Sequence, residues 1–223
     1  MNESKFKGIY ELKKGKRTIL LTKNLVPGKK VYEERLFTEK GTEFREWDPK
    51  RSKLAAAILK GVTEIGIKKD YVILYLGAAS GTTASHLSDI IGKDGFIFAV
   101  DFAPRVVRDL VFVCEDRKNI APILADANRP ESYLDRVSLA DIVYMDIAQK
   151  NQAEIFLKNC EMFLKKKAFA LLAVKARSVD VTKKPKQVFN LVKRQISEKL
   201  KIIDYKELRP YQKDHCFFVC KRE

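Results

Sequence analysis

The sequence predicts an α/β fold: a mostly parallel seven-stranded sheet that ends in a C-terminal antiparallel hairpin, preceded by a small N-terminal antiparallel β-sheet domain. Three observations predict it. From residue 71 onward, apolar strand-like runs alternate with segments of helical periodicity, the pattern of successive β-α units. The stretch VILYLGAASGTTASHLSDIIGKDGFIFAVD at 72–101 reads as strand, tight small-residue turn, helix, and a second strand ending in a carboxylate, which is the layout of a nucleotide-type cofactor cradle. The first fifty residues carry short alternating segments separated by Lys-Gly and Pro-Gly turns instead.

Taken in order, KFKGIYELK, RTILLTKNLV, KKVYEERLF and GTEFREW supply the strands of the small sheet, assigned to residues 1–50. The larger domain covers 51–223. Pro49 marks a helix start, and Leu54, Ala55, Ile58, Leu59 and Val62 then recur at helical spacing. Strands follow at 71–76, 96–101, 120–125, 141–146 and 168–175, with helices at 82–91, 104–117 and 150–165. A basic helix over 185–199 turns Val188, Leu191, Val192 and Ile196 inward. KIIDYKEL and HCFFVCK, joined around Pro210, form the closing hairpin.

The turn after the first long strand selects the ligand class. Gly77, Ala78, Ala79, Ser80 and Gly81 let a ligand approach the backbone, and Thr82 and Thr83 open the next helix. A dinucleotide fingerprint would need glycines at Ala79 and Thr82, and a Walker loop would need a Lys-Ser or Lys-Thr pair. Neither is present. The remaining G-x-A-x-G is close to the G-x-G-x-G of S-adenosylmethionine enzymes, although Tyr75 stands where an acidic residue is usual. By itself the turn leaves a methyl donor, another ligand and a plain packing turn open. Asp101, 24 residues after Gly77, is placed to accept the hydroxyls of an adenosyl ribose. His86 packs within its helix and stays outside the site.

Composition narrows the partner. Lys and Arg number 44 against 29 Asp and Glu, a net charge of +15, so a polyanion is expected and nucleic acid leads over an anionic membrane. No apolar run approaches the roughly 20 residues of a membrane span, and the N-terminus lacks a signal-peptide apolar region. A cytoplasmic protein is expected. Cys114, Cys160, Cys216 and Cys220 lie in apolar patterns without C-x-x-C spacing, which argues against zinc or a disulfide framework and for core thiols.

Ligands of open α/β sheets bind at the carboxyl ends of strands, at the point where strand order reverses. Asp101, Asp126, Asp146 and Lys175 each end a strand, so one sheet edge collects three carboxylates and an amine. A lone strand-end Asp is usually a cap or an Asx turn, and in ILADANRP that reading competes with Asp126 and Ala127 holding an adenine edge and face. Lys175 has no structural reason to end the apolar run AFALLAV. The basic, turn-rich KARSVDVTKKPK after it suits a mobile loop over RNA backbone.

These residues bring a family into view. WDPKRSKLAAAI at 47–58, YLGAASGTTASH at 75–86, VDFAPR at 100–105, DAN at 126–128, MDIAQ at 145–149, VKARSVD at 174–180 and YQKDH at 211–215 resemble fibrillarin, the box C/D guide-dependent RNA 2′-O-methyltransferase. The resemblance runs over essentially the whole chain, and without a Gly/Arg-rich tail the chain looks like the archaeal form. Asp48 stands where the family usually has Asn, and Asp101 where it often has Glu, so the shorter side chain reaches a ribose through a water.

The resemblance implies the S-adenosylmethionine-dependent methyltransferase fold and donor contacts at Thr82, Thr83, Asp101, Phe102, Asp126, Ala127, Asp146 and Gln149. It also implies a catalytic set of Lys53, Asp146, Lys175 and His215, with S-adenosylmethionine as donor, ribosomal and transfer RNA as substrates, and no metal. Implied partners are a box C/D guide RNA, a Nop-family scaffold protein and a kink-turn-binding ribosomal-protein homologue. A ribose 2′-hydroxyl must lose its proton as it attacks a sulfonium methyl. Lys175 is the candidate base, since a partly dry pocket, nearby Lys53 and the cationic sulfonium all favour its neutral form. Asp146 opposes that as a counter-charge, so its role is to orient amine and hydroxyl, while Lys53 and His215 position the ribose-phosphate. A non-catalytic RNA-binding or assembly subunit is the alternative. Base methylation lacks its N-P-P-Y or catalytic-Cys motif, and the absence of an aromatic RNP pattern or zinc knuckle places site selection outside this chain.

Overall fold

The computed structural model describes residues 1–15 and 17–223. Five antiparallel strands make the N-terminal sheet: β1 (Asn2–Glu3), β2 (Ile9–Lys14), β3 (Arg17–Lys23), β4 (Leu36–Glu39) and β5 (Thr42–Trp47), in the order β1-β2-β3-β5-β4. Lys40 and Gly41 join β4 to β5 with φ of 48° and 75°, the left-handed pair that a two-residue hairpin needs. Of KKVYEERLF only the end is strand. The Glu34 carboxylate, fully buried, accepts from the Val31 and Tyr32 N–H groups at 2.9 and 2.8 Å, and a backbone held by a side chain cannot extend.

The first helix starts later than Pro49 suggests. Ser52 is its N-cap, accepting from the Ala55 N–H at 3.3 Å, and α1 runs Lys53–Leu59. Residues 48–52 form a turn closed by Ser52 N–H on the Asp48 carbonyl at 3.0 Å. The second unit follows as β6 (Val72–Leu76), α2 (Thr82–Ile91), β7 (Phe96–Asp101), α3 (Pro104–Asp116), β8 (Ile120–Leu124), β9 (Ala140–Met145), α4 (Gln152–Phe163), β10 (Leu164–Lys175), α5 (Ala176–Val179), α6 (Pro185–Ser197), β11 (Lys201–Glu207) and β12 (His215–Lys221).

Its sheet has the order β11-β12-β10-β9-β6-β7-β8. β6 through β10 pair in parallel, and β12 lies antiparallel between β10 and β11. Alternation along the strands feeds two cores. Ile73, Tyr75, Tyr144 and Phe217 pack with α1 and α2 on one face, and Leu74, Leu76, Val143 and Phe218 pack with α4 and α6 on the other.

Three local expectations shift. The helix over 150–165 gives way to β10 at Leu164, where Arg222 Nη1, just past the last strand, donates to the carbonyls of Cys160, Glu161 and Leu164 and caps the helix end. The loop after Lys175 contains the helical turn α5, and Asp180 then organises the next residues by accepting from Thr182 N–H (2.8 Å), Thr182 Oγ1 (2.6 Å) and Lys183 Nζ (2.6 Å). A 3-10 helix spans Pro130–Arg136. All four cysteines are free, three of them buried. Among the described residues, no helix is long and apolar enough to cross a membrane.

A buried polar network fastens the small sheet to α2. Arg45, with no exposed side-chain surface, donates to Glu34 (2.7 Å), Asp89 (3.0 Å) and Ser85 (3.0 Å), while Arg117 donates to the other Asp89 oxygen at 2.6 Å and to Asn24 at 3.1 Å. Two guanidinium groups thus meet two carboxylates. His86 stacks on Trp47 at 5.1 Å, with Nδ1 2.8 Å from Thr22 Oγ1 and Nε2 2.7 Å from Tyr32 Oη. Thr22 donates onward to Asp89 at 2.7 Å and Tyr32 Oη to the Glu46 carbonyl at 2.8 Å. Burial, and then Arg45 and Arg117, hold this histidine well below its ordinary range.

Folded His86 therefore stays neutral where an unfolded chain takes up a proton, at about pH 6.5. Stability is complete above that pH and falls below it, by up to about 1.4 kcal/mol per pH unit. Urea unfolding of His215→Gln, which removes the other histidine, should show midpoints declining from pH 6.5 towards 5. Midpoints that stay level through that window refute a buried neutral His86.

Candidate active site

The strand order reverses at β6, whose neighbours are β9 and β7, and the site forms where these strands end. Gly77 leaves β6 with φ of 80°, its N–H on the Val100 carbonyl at 2.8 Å. A Cβ there would run into the Asp146 carbonyl and stand 2.9 Å from Ile147 Cγ1. Asp146 N–H in turn donates to the Leu76 carbonyl at 2.9 Å. Gly81, at φ of 92°, approaches α3 so closely that a Cβ would lie 2.9 Å from Leu110 Cδ1. Ala79 N–H donates to Asp101 Oδ2 at 2.9 Å and Ala103 N–H to Oδ1 at 3.1 Å. The Asp101 carboxylate is thereby fixed, and each oxygen keeps a lone pair for a ligand hydroxyl.

Gly77, Ala79, Asp101, Phe102, Asp126, Ala127, Asp146 and Gln149 line one cavity at the strand ends. Phe102 is 63% exposed, a bare ring on the cavity wall. Asp126 Oδ1 closes an Asx turn on Asn128 N–H at 2.9 Å, and the residue also lines the cavity. Asn128 Nδ2 also donates to Gln149 Oε1 at 2.8 Å.

Gly81, Thr82 and Thr83 do not line this cavity but lie at the start of α2 beside it. The Thr83 hydroxyl donates to Ser52 Oγ at 3.0 Å and is buried; Thr82 faces a groove shared with Lys29, Lys30 and Arg51. What this segment offers is the first turn of α2, whose N–H groups have no intrahelical acceptors and favour negative charge.

Lys53 Nζ stands 2.9 Å from Asp146 Oδ2, both side chains mostly covered at 25% and 17% exposure. Lys175 and His215 are direct partners in the β10–β12 register. His215 Nδ1 donates to the Lys213 carbonyl at 2.6 Å. Its burial lowers its pKa; the Lys213 carbonyl and Asp146 push upward, Lys53 and Lys175 downward, and the result lies below the ordinary value. Lys175 itself is exposed, where a partly dry pocket is expected from the sequence. The structure gathers these four residues, with supports that the sequence does not announce. Gln212 Nε2 donates to the carbonyls of Pro49 (3.0 Å) and Lys50 (2.6 Å), tying the turn before α1 to the segment before β12. Tyr75, which replaces the expected acid, is buried and stacks on Tyr144 at 4.5 Å.

A seven-stranded sheet with its last strand reversed and inserted, and a cavity at the β6–β9 switch point, defines the S-adenosylmethionine-dependent methyltransferase fold class. The family model described as Fibrillarin matches residues 1–223, and the chain belongs to the fibrillarin family. It is 49% identical over 224 residues to the fibrillarin-like rRNA/tRNA 2′-O-methyltransferase of Pyrococcus abyssi, covering all of this chain and 98% of that protein. Aeropyrum pernix fibrillarin, solved with natively bound S-adenosyl-L-methionine, superposes with a TM-score of 0.91 at 46% identity, over 98% of this chain and 96% of the other. A fibrillarin from a fibrillarin/Nop5p complex gives 0.89 at 41% identity, over 97% and 98%.

Gly77→Ala adds a side chain in left-handed backbone against the Asp146 carbonyl, which cannot move without breaking the β6–β9 ladder. We expect a loss of about 2 to 4 kcal/mol by urea unfolding, against a smaller loss of about 1 to 2 kcal/mol for Gly28→Ala, which shares the left-handed backbone at φ of 81° but has open surroundings. Equal effects at the two positions would contradict the close-approach argument.

Proposed function

We propose that this protein transfers the methyl group of S-adenosylmethionine to the ribose 2′-hydroxyl of nucleotides in ribosomal and transfer RNA, chosen by a box C/D guide RNA. It does so in the cytoplasm, alongside a Nop-family scaffold protein and a kink-turn-binding ribosomal-protein homologue. The observation that carries this reading is Asp146, which both lines the ligand cavity and holds Lys53 at 2.9 Å. The donor supplies an electrophilic methyl on a cationic sulfur.

The chain's own groups fit that donor. Asp101 accepts the ribose hydroxyls, Phe102 and Ala127 flank the adenine, and the free oxygen of Asp126 accepts from its amino group. The N–H groups of the first turn of α2 take the donor's carboxylate. Asp146 orients the incoming 2′-hydroxyl, and Lys53 and Lys175 place positive charge where RNA phosphates arrive. Support for RNA as the partner comes from the +15 charge, and support for external site selection from the lack of any base-reading motif, since phosphate contacts carry no sequence information.

Calorimetry should find S-adenosylmethionine or its demethylated product bound by the isolated protein and NAD not bound, with Asp101→Ala weakening donor affinity at least about tenfold, the scale of a lost charge-assisted hydrogen bond. Unchanged affinity in Asp101→Ala removes the ribose assignment. In single-turnover assays of the assembled complex, Asp146→Ala should slow methylation by about 10², with a smaller loss for Lys53→Ala. A further test changes the antisense segment of the guide while this chain is held constant. The methylated position should move with the guide; if it stays put, site choice lies in this protein.

A further inference from the structure

We propose that the proton leaving the ribose 2′-hydroxyl passes to Nε2 of His215, and that Lys175 acts as a fixed positive charge and not as the base. This rests on the methyl-transfer function proposed above. Three features of the site lead to it. His215 Nδ1 is committed as a donor to the Lys213 carbonyl at 2.6 Å, so in the neutral ring Nε2 holds the lone pair. His215 opens β12 directly opposite Lys175 and is half-buried, whereas Lys175 is exposed. A half-buried imidazole with one nitrogen engaged as a donor keeps a lone pair on the other.

The surrounding charges agree. Lys53 faces His215 from α1, Asp146 from the end of β9 and Lys175 from β10. Lys184 and Lys186 at the start of α6, with Glu207, Arg209 and Asp214 of the hairpin, line the groove that continues from the ring. Burial and the two nearby lysines keep the imidazole neutral near pH 7, against the opposing pull of the Lys213 carbonyl and Asp146. In the step itself, the O2′–methyl bond forms as the O2′–H bond breaks, and the proton goes to Nε2. The electron pair of the S–methyl bond stays on sulfur, which becomes a neutral thioether. Asp146 stabilises the imidazolium, and the flanking lysines favour its release of the proton to water.

The test is the pH dependence of single-turnover methylation in the complex assembled with guide RNA, together with nitrogen-resolved NMR of His215. The wild-type rate should rise about tenfold per pH unit at low pH, as for one essential base, and level off with a midpoint below about 6.5, the ordinary imidazole value. Lys175→Arg, which cannot deprotonate, should slow the reaction yet keep that midpoint. His215→Gln, with donor affinity intact, should lose about 10² in rate and the midpoint with it. The NMR spectrum at pH 7 should show a neutral ring protonated at Nδ1. A wild-type midpoint above pH 8 that vanishes in Lys175→Arg returns the base to the lysine and overturns the proposal. So does a midpoint unmoved by His215→Gln, or a ring protonated at Nε2 at pH 7. Donor binding without any 2′-O-methyl product at any pH sinks the proposed function itself, and this assignment with it.

Discussion

Two parallel strands, β6 and β9, must stay hydrogen-bonded to their last residues while the chain leaves them in different directions, and the site depends on how that is done. Asp146 N–H still reaches the Leu76 carbonyl, and the Asp146 carbonyl then occupies the space where a side chain on residue 77 would sit. Only a residue without a Cβ permits both. Once the backbones are locked, the rest follows from register: Asp101 is drawn under the turn by Ala79, and the Asp146 side chain is set on the cavity wall within reach of Lys53. The carboxylates are fixed in place by main-chain N–H groups and by Lys53.

Much of this was legible in the sequence, for reasons that differ by residue. The run at 72–101 is local: strand, turn, helix and strand are read from period and composition, and the structure keeps each of them within a residue or so. Lys53, Asp146, Lys175 and His215 were named through family likeness, and their convergence is a matter of sheet order that periodicity does not encode. Long-range contacts account for what was misread. Residues 29–35 looked like strand because their alternation is real, but Glu34 is pulled inward by Arg45 and takes the backbone with it. The end of α4 is decided by Arg222, far away in sequence. The Thr83 hydroxyl is engaged by Ser52, whose cap sets where α1 and hence Lys53 begin, a link between distant segments that no local pattern shows.

The N-terminal sheet is more than an appendage to this machinery. Its Arg45 shares Asp89 with Arg117, so α2 is clamped between the small sheet and α3 through charges with no access to water. Removing one member of such a group leaves an uncompensated buried charge, whereas the intact group contributes mainly by admitting a single arrangement. The small sheet therefore sets the position of α2, whose first turn opens directly after the Gly77 turn.

The placement of β12 bears on how the molecule is made. β11 precedes it in the chain but lies outside it in the sheet, so β11 has no partner until β12 slots against β10. As the polypeptide emerges during synthesis, Lys53, Asp146 and Lys175 all appear before His215. A growing chain can thus build the ligand cavity early, with the edge of β10 open to unwanted pairing, and gains its fourth site residue only when the hairpin arrives as a unit. The same insertion that covers the edge of β10 sets His215 beside Lys175, so closing the sheet and gathering these four side chains are one event.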